Sequence, residues 1–426
     1  MHRRYVFPVV CLLLCESLTA QRKLTPQQLI ALADRDSPEL GKALIETFGD
    51  ELKKGTAAAG YLGDFLWAVE AASRPALIVD DNARPEMRQV PGTNLWYAVG
   101  KLITGTSHRF HYVIDSAIFG GRTDVPAYGG DSYMQAGVPQ GKLSEKLVHT
   151  SKLYEGMTSD YWIYVPAQYD PKTPAALMVW QDGETFINRD GARRLLNAAD
   201  NLIHQKRIPV MIHVLISPGM IGQRRMRSIL YDTVSNKYVR FLRDELLPEV
   251  YAKYNIRKDS YSRGIGGASS GGICSFNAAW HHPEEFSRVI SWIGSFTSIQ
   301  WDKQTGVGGH DYPFMVRKQP KRNIRVWLQE GTEDLENAHG SWPLQNLAMA
   351  NSLKMMDYDF HLSLGNGTHN SAHGSAELPA ELVWLWRGYD PAKTEETFTI
   401  DPVEKAKPLF RVKPYNRDIS ESDPRP

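Results

Sequence analysis

The segment Gly-Ala-Ser-Ser-Gly-Gly at residues 267–272 contains a G-x-S-x-G pattern, which is typical of serine nucleophiles. It follows a short strand-like run at residues 261–266 and precedes a helix-like run at 273–280. In such a strand-turn-helix the nucleophile lies at the apex of a tight turn, where small neighbours permit strained backbone angles. The pattern therefore predicts that Ser269 is a nucleophile at a helix N-terminus, where free N–H groups favour negative charge. A Gly/Ser turn without chemistry, or a phosphate cradle without the usual Lys, is the alternative.

Two loops can supply the base and the acid that a serine hydroxyl needs. They are residues 330–337, Glu-Gly-Thr-Glu-Asp-Leu-Glu-Asn, and residues 365–369, Gly-Asn-Gly-Thr-His. Each follows a predicted strand, and open parallel sheets gather their sites at the C-terminal strand ends. We therefore expect His369 to be the base and Asp334 the orienting acid. Three other carboxylates of the first loop compete for the acid role: Glu330, Glu333 and Glu336.

Acyl transfer also requires two N–H donors for the oxyanion. We expect one from Ser270, which follows the nucleophile, and one from Glu184 in the turn after a predicted strand at residues 176–180. Gly183 lets the backbone of this turn point the Glu184 N–H inward. An ordinary tight turn at Asp182-Gly183 is the alternative.

Further side chains near these loops are candidate substrate-binding residues, and they are Asp182, Arg227, His310 and His373. Arg227 forms a cluster with Arg224 and Arg225 that can hold an anionic substrate group, although a charge run is also typical of a solvated face. His373 is expected either to line the pocket or to be a surface or capping histidine.

A metal site is the less favoured interpretation of the histidines. His369 and His373 are four residues apart with Glu377 beyond, a spacing that can place ligands on one helical face. The first histidine, however, lies in a Gly-rich loop, so we do not expect the helical spacing to be realised. The sequence predicts no metal and no cofactor.

The elements around these loops divide the chain into segments. Strands and helices alternate from about residue 146, which predicts an α/β domain with a mostly parallel central sheet. Before it, apolar residues alternate with period two, as at Phe65, Trp67 and Val69, which predicts a small all-β sandwich. Trp67 and Trp96 are expected in its core, with a role as sugar platforms as the alternative. The predicted bounds are a signal peptide at 1–20, a helical lead-in at 21–55, the sandwich at 56–120, a linker at 121–145, the α/β domain at 146–390 and an extended or disordered tail at 391–426.

Composition restricts the classes of partner. The 426 residues include 49 Lys and Arg against 48 Asp and Glu, a formal net charge of +1. This balance gives no overall field toward nucleic acid or an anionic membrane. With 42% hydrophobic residues, the chain can bury the core of about two domains. We therefore expect local recognition and no nucleic-acid partner.

The first twenty residues predict export. A Met-His-Arg-Arg start, an apolar run at 5–14 and Ser-Leu-Thr-Ala before residue 21 are typical of a secretory signal peptide. The run is too short to span a bilayer, so we expect a periplasmic or secreted protein without membrane contact after removal. Cys15 is disfavoured as a lipid anchor because Leu14 occupies the place of a small residue. Removal leaves Cys274 alone, so no intramolecular disulfide is expected.

Five ordered segments together resemble the putative-esterase family, which includes enterochelin esterases, feruloyl and acetyl xylan esterases, esterase D and mycolyltransferases. The segments are residues 162–170, 179–183, 267–272, 293–296 and 367–369. The ordered set is more specific than any single motif. The resemblance covers about residues 146–389 and implies an α/β-hydrolase with the nucleophile at Ser269, the acid at Asp334, the base at His369 and the oxyanion amides at Ser270 and Glu184. Residues 91–97 resemble the early-set, immunoglobulin-like domains that precede some of these hydrolases.

The motifs and the resemblance predict an exported serine carboxylesterase that forms an acyl-enzyme on Ser269. The expected substrate is a small-molecule or oligosaccharide ester, either an acyl or aryl ester on a carbohydrate or a siderophore-type ester. An acyltransferase with the same three residues is the first alternative. A carbohydrate-binding protein without turnover is the second, and it is disfavoured because every required residue type occurs in order.

Overall fold

The computed structural model describes residues 24–84 and 86–411. The predicted signal peptide, the first residues of the lead-in and the end of the predicted tail lie outside the described residues.

The lead-in forms three short helices. Thr25 caps the first one by accepting a hydrogen bond from the Gln28 N–H, and Pro26 occupies the first helical turn, where its missing N–H costs nothing. Apolar residues of the three helices, such as Leu29 and Leu44, pack against the outer face of the neighbouring sheet. The helices are α1 (Pro26–Asp34), α2 (Leu40–Phe48) and α3 (Asp50–Lys54).

Two four-stranded antiparallel sheets follow, with orders β1-β2-β6-β5 and β4-β3-β7-β8. Their strands are β1 (Ala57–Tyr61), β2 (Asp64–Glu70), β3 (Ala76–Val79), β4 (Asn82–Ala83), β5 (Arg88–Gln89), β6 (Leu95–Lys101), β7 (Thr106–Ile114) and β8 (Ala117–Ala127). Side chains of both sheets share one core, in which Trp67 and Trp96 are buried. Because both rings are buried, they belong to the core, and neither is free to stack on a sugar. We refer to the two sheets as the sandwich.

The last strand of the sandwich, β8, extends into the predicted linker at 121–145. The last sandwich strand continues to Ala127 because its backbone pairs with β7 as far as Thr106. Beyond it, the amides of Asn197 and Asn201 donate to backbone carbonyls of residues 131–133. The connection is therefore attached to the following domain by hydrogen bonds.

The second domain is built on one large mixed sheet. Its long path has the order β15-β14-β11-β13-β12-β16-β17-β18-β21, and the six strands from β13 to β21 on this path are parallel. The strands are β9 (Lys142–Leu143), β10 (Leu147–Thr150), β11 (Thr158–Val165), β12 (Ala176–Gln181), β13 (Met211–Ile216), β14 (Met220–Ile221), β15 (Arg224–Arg225), β16 (Arg263–Ala268), β17 (Arg288–Trp292), β18 (Arg325–Gly331) and β21 (Asp359–Gly365), with a separate hairpin of β19 (Glu336–Asn337) and β20 (Gly340–Ser341). This is the α/β arrangement expected from the alternating pattern.

Helices cover the sheet and enclose two large apolar cores. They are α4 (Leu195–His204), α5 (Arg227–Tyr231), α6 (Lys237–Phe241), α7 (Leu247–Tyr251), α8 (Ser270–His281), α9 (Tyr312–Lys318), α10 (Trp342–Met355), α11 (Ala372–Leu385) and α12 (Pro402–Ala406). Helix α11 begins at Ala372 and continues through Pro379. Within residues 24–84 and 86–411, no helix has the length and apolarity needed to cross a membrane.

Most of the described part of the predicted tail is exposed and, apart from α12, lies outside helices and strands, but Phe398 and Ile400 are buried against the preceding domain. Phe398 is 2% exposed, and the Arg288 and Arg325 guanidinium groups lie against its ring. The Asn323 side chain accepts a hydrogen bond from the Phe398 N–H. One aromatic residue among charges and prolines therefore anchors the segment.

Helix α11 places two carboxylates against the sheet. Glu381 accepts hydrogen bonds from the Trp292 Nε1–H at 2.7 and 2.8 Å, and Glu377 accepts one from the Ser363 hydroxyl at 2.9 Å. Burial raises the pKa of Glu377 to about 7, and burial together with the neighbouring Glu377 holds the pKa of Glu381 well above its usual range. Both groups therefore bind protons more tightly in the folded state than in the unfolded state.

Replacing Glu377 with Gln is expected to remove part of the pH dependence of stability. The folded-state pKa of about 7 exceeds the ordinary value of 4.5, so the proton stabilises the folded state fully below about pH 4 and this contribution is lost as the pH rises through 7. Between about pH 5 and pH 8, the free energy of unfolding of the parent should fall by about 1 to 3 kcal/mol more than that of Glu377→Gln. Urea denaturation at several pH values measures both proteins, and parallel pH profiles would contradict the prediction.

Candidate active site

Ser269 lies in a strained turn between β16 and α8. Its φ is +59° and its ψ is −122°, a conformation that is uncommon for a residue with a side chain. Its N–H donates to the Trp292 carbonyl at 2.8 Å, and its own carbonyl accepts from the Gly272 N–H at 2.9 Å. At Gly267, an added Cβ would lie 2.6 Å from the Gly271 carbonyl oxygen, so the turn closes only with glycine there. The local sequence thus fits the turn that exposes the serine.

Three side chains from three loops form one chain of hydrogen bonds. Ser269 Oγ lies 2.8 Å from His369 Nε2, and His369 Nδ1 lies 2.6 Å from Asp334 Oδ1. The Asp334 side chain is fully buried, whereas His369 is 24% exposed. A neutral imidazole in this position can accept the serine proton while its Nδ1–H donates to the carboxylate.

The loops that carry Asp334 and His369 are bonded to each other beyond the ends of β18 and β21. The Thr332 N–H donates to the Gly365 carbonyl at 2.9 Å, and the Glu333 N–H donates to the Gly367 carbonyl at 3.1 Å. An added Cβ at Gly331 would lie 2.1 Å from the Gly367 oxygen. The two loops therefore approach too closely for a side chain at this position.

Of the carboxylates that competed for the acid role, Asp334 contacts the imidazole and Glu330 lies behind it. Burial and a hydrogen bond to Asp334 hold the pKa of Glu330 well above its usual range. Burial opposes ionisation of Asp334 too, but hydrogen bonds from His369 and Glu330 outweigh it and lower the Asp334 pKa. The raised pKa favours the protonated form of Glu330, which can donate a hydrogen bond to Asp334. Glu333 instead pairs with Arg109, and Glu336 is exposed.

The turn after β12 presents backbone N–H groups next to the serine turn. Asp182 adopts a left-handed conformation with φ of +55°, and a short 3₁₀ turn, Gly183–Thr185, follows. An added Cβ at Gly183 would lie 2.2 Å from the Leu215 carbonyl carbon, so this turn also requires glycine. Ser270 is the first residue of α8, where the N–H has no carbonyl acceptor within the helix. The Glu184 side chain accepts a hydrogen bond from the Ser217 hydroxyl.

Arg227 and Asp182 pair with each other, which corrects the expectation that Arg227 offers a free site for an anionic substrate group. The Arg227 Nε and Nη2 groups each donate to Asp182 at 2.8 Å, and Nη2 also donates to the Ala268 carbonyl at 3.2 Å. The guanidinium fork is thus occupied. The pair links the turn after β12 to the residue that precedes Ser269. Arg224 and Arg225 remain exposed on β15.

The two histidines predicted near the substrate are not members of the three-residue chain. His373 is 6% exposed, and its Nε2 lies 3.4 Å from Thr106 Oγ1 of the sandwich. This position corrects the alternative of a surface or capping histidine, because the sandwich covers α11 there. His310 is partly exposed, and its Nε2 lies 3.7 Å from Asp311. Among the described residues, no hydrogen bond joins either histidine to Ser269.

The structure also separates the residues of the metal alternative. His369 lies in the loop before α11 and uses both ring nitrogens for Ser269 and Asp334, whereas His373 lies within the helix. The helical i, i+4 spacing is therefore absent between them. No cluster of three or more potential ligands for a metal occurs in the described part of the chain.

Two residues of the site escaped the sequence reasoning. The Ser295 Oγ lies 3.2 Å from the Ser269 Oγ and accepts a hydrogen bond from the Trp342 Nε1–H at 3.1 Å. The Trp342 ring meets the His369 imidazole edge-on, with centroids 5.5 Å apart. Ser295 lies within residues 293–296, one of the segments that resemble the esterase family. Nothing in the sequence pointed to Trp342.

Comparison with known protein families assigns residues 157–385 to a model described as "Putative esterase". This match covers more than half of the chain.

Individual relatives agree with this match. The Iron(III) enterobactin esterase of Dickeya dadantii (strain 3937) is 23% identical over 248 residues, which make up 54% of this chain and 52% of that protein. The chain thus spans about half the length of this curated relative. The ferric enterobactin esterase of Salmonella typhimurium gives a TM-score of 0.53 at 16% identity, and the enterobactin esterase of Shigella flexneri gives 0.51 at 16%. Both alignments cover 79% of this chain and 98% of the other chain. At such identities the likeness concerns the fold.

The protonated state of Glu330 leads to a prediction for the site. Gln at this position keeps an N–H that can donate to Asp334, so Glu330→Gln should retain turnover within about threefold of the parent. Leu removes the donor to a buried carboxylate, a loss of about 1.5 to 3 kcal/mol, so Glu330→Leu should lower turnover by about 10- to 100-fold. Steady-state kinetics of the two variants measure the difference.

Equal losses in Glu330→Gln and Glu330→Leu would contradict the prediction, because they would indicate that a charged Glu330 is required. Thermal unfolding of both variants serves as the control for folding.

Proposed function

Because the chain belongs to the putative esterase family, we propose that it is a serine carboxylesterase that forms an acyl-enzyme on Ser269. The observation that carries the proposal is the chain of hydrogen bonds from Ser269 through His369 to Asp334. The strained backbone at Ser269, which directs the hydroxyl out of a tight turn, supports the same role.

In the proposed reaction, His369 Nε2 takes the hydroxyl proton as Ser269 Oγ attacks the ester carbonyl carbon. The carbonyl oxygen becomes an oxyanion, and its collapse breaks the bond to the alcohol, which leaves with the proton from His369. Water then loses a proton to His369 and attacks the acyl carbon, the bond to Ser269 Oγ breaks, Oγ takes the proton back from His369, and the acid is released. Asp334 holds the imidazole in the tautomer that accepts at Nε2 and stabilises its charged form.

The N–H groups of Ser270 and Glu184 are the proposed donors to the oxyanion. Their placement at the start of α8 and in the turn after β12 supports this role. The pair of Asp182 with Arg227 then acts on the reaction through the backbone, since it connects these two segments. Ser295 lies close enough to Ser269 to orient its hydroxyl before attack.

The proposed substrate is a small-molecule or oligosaccharide ester with an aryl or acyl group. Several of the similar proteins are enterobactin esterases, and one of them was crystallised in the presence of enterobactin, a siderophore ester. Two features of this chain support an aryl group. Trp301 is 51% exposed on the segment that leaves Ser295, and the neighbouring Gln300 side chain donates to Ser228 Oγ at 3.1 Å. Arg224 is exposed and available for an anionic or catecholate part of the substrate, whereas Arg225 lies 3.5 Å from Glu184 and 3.9 Å from Asp182.

Export and the class of the sandwich are part of the proposal. Residues 1–20 are proposed to direct the chain to the periplasm or the exterior. The two sheets with a shared core support the assignment of an immunoglobulin-like domain before the hydrolase. An acyltransferase with the same residues is the second candidate, because the proposed acyl-enzyme can pass its acyl group to a sugar hydroxyl instead of water.

Replacing Ser269 with Ala should abolish ester hydrolysis. Without the Oγ no acyl-enzyme forms, and turnover of p-nitrophenyl acetate should fall by at least about a thousandfold. A fluorophosphonate probe should label the parent and leave Ser269→Ala unlabelled.

Ser270→Ala is the matched control for this test, because it changes the next hydroxyl and keeps the backbone N–H. Hydrolysis that survives in Ser269→Ala would contradict the esterase proposal. Product analysis with and without sugar acceptors separates the two reactions, since a transferase yields acylated sugar at the expense of free acid.

Replacing Trp301 with Ala should weaken the binding of aryl esters and leave that of acetyl esters unchanged. Loss of a stacking contact of about 0.5 to 1.5 kcal/mol should raise the KM for a feruloyl or catechoyl ester about 3- to 10-fold and leave the KM for an acetyl ester unchanged. Kinetics with both esters measure this selectivity. Phe410→Ala is the control, because Phe410 is also exposed but contacts Asn351 in the later turns of α10, away from Trp342. Equal effects on both esters would contradict the role of Trp301.

A further inference from the structure

The sandwich contacts both loops that carry the proposed acid and base. Arg109 of β7 donates to the carboxylate of Glu333, which directly precedes Asp334. Asp124 of β8 accepts two hydrogen bonds from Thr368, which directly precedes His369. One comes from the Thr368 N–H at 3.0 Å and the other from its hydroxyl. Arg109 and Glu333 are 224 residues apart in the chain, and Asp124 and Thr368 are 244 apart.

Both contacts originate at one β-bulge. β7 and β8 pair His108 with Val125 and Phe110 with Arg122, so Arg109 lies opposite the two residues 123 and 124. Asp124 has a φ of +53°, which is uncommon for a residue with a side chain. Bulges change the direction of side chains and often occur next to active sites. The bulge therefore accounts for the departure of Asp124 from the regular strand toward the base loop.

Arg109 is itself held on the sandwich. Its second guanidinium nitrogen pairs with Asp81, and its backbone N–H donates to Asp80 Oδ1 at 3.1 Å. The other Asp80 oxygen lies 2.6 Å from Nδ1 of His108, a buried residue. Arg109 thus connects the acid loop to a fixed group of side chains.

The base loop packs directly on Asp124. An added Cβ at Gly367 would lie 2.8 Å from Asp124 Oδ1, so a side chain there would displace the Asp124 carboxylate. The Gly367 carbonyl also accepts the Glu333 N–H at 3.1 Å. The bulge, the base loop and the acid loop therefore form one connected set of hydrogen bonds.

We propose that Asp124 and Arg109 are positioning residues, through which the sandwich holds the base and acid loops in the geometry that the reaction needs. This inference rests on the proposed function. Asp124 holds the residue before His369 at two atoms, so its loss should let the imidazole move relative to Ser269. A displacement of about 1 Å in a catalytic group can lower turnover about a hundredfold. The pair of Arg109 with Glu333 is partly exposed, so its contribution should be smaller.

Asp124→Gly tests the proposal without adding backbone strain, because glycine adopts a positive φ readily. The variant should keep its melting temperature and lose about 10- to 100-fold in kcat, with KM within about threefold of the parent. Asp124→Asn retains an acceptor for the Thr368 N–H and should recover most of the loss. Arg109→Met should lower kcat by about 2- to 5-fold.

Asp115→Gly is the matched control. Asp115 also has a positive φ, +49°, and lies in the same hairpin, but it is exposed and contacts Ser73. This variant should keep the parent kcat. Thr368→Val removes the hydroxyl that donates to Asp124. If both substitutions act through this one contact, their effects on kcat should not add when they are combined.

Hydrogen exchange of residues 365–371 gives a readout that does not depend on turnover. Exchange should be faster in Asp124→Gly than in the parent and unchanged in Asp115→Gly. A kcat within twofold of the parent together with unchanged exchange in Asp124→Gly would overturn the positioning role.

If the parent hydrolyses none of the esters, or if Ser269→Ala remains active, the proposed function fails, and the exchange experiment alone then decides on the loop contact. If Asp124→Gly is unstable, the kcat of Thr368→Val decides, and an undiminished value overturns the proposal.

Discussion

The hydrogen bond between Ser269 and His369 joins residues a hundred positions apart, and the other features of the site serve to keep it short. Ser269 follows β16, Asp334 follows β18 and His369 follows β21, so the sheet order sets one strand between the first two and two strands between Ser269 and His369. With neighbouring strands about 4.8 Å apart, the base loop must reach about 14 Å back across the sheet edge. A loop with that reach is mobile unless other groups hold it.

The arrangement of charges at the site follows from the same need to keep the hydrogen bond between Ser269 and His369 short. Asp334 must remain ionised in a buried position, where its charge is costly unless hydrogen bonds compensate it. The His369 imidazole, the Leu335 N–H and the protonated Glu330 supply those bonds. Burial raises the pKa of Glu330, which favours its neutral form, and Glu330 accepts a hydrogen bond from the Asn346 amide. One carboxylate with a lowered pKa beside one with a raised pKa thus lets two acids share a buried site with a single charge.

The sequence allowed prediction of the parts of the site that depend on short segments. The Gly-rich serine turn, the strands before each loop and the order of serine, acid and histidine are local features, and the resemblance to the esterase family is confirmed. The residues of the loop did not by themselves exclude Glu330 as the acid, because both carboxylates lie near the end of the same strand and both are buried, and only the contact with His369 distinguishes Asp334. Trp342 and Asp124 were not predicted because their contacts join residues far apart in the chain. The interior position of Pro379 in α11 could not be predicted, because proline disfavours a helix interior and favours the first turn.

The contacts of the sandwich with the acid and base loops give the sandwich and the lead-in helices a role beyond the burial of apolar side chains. Loops 330–337 and 365–371 contain many glycines and charged residues, so apolar packing can contribute little to their order. Their order must come from hydrogen bonds to a backbone that is itself fixed. The β7–β8 hairpin supplies such a backbone because one face packs in the shared core, while the opposite sheet is covered by α1 to α3. Apolar burial in the first hundred residues can therefore stabilise polar geometry in the last hundred, which makes the two units interdependent parts of one site.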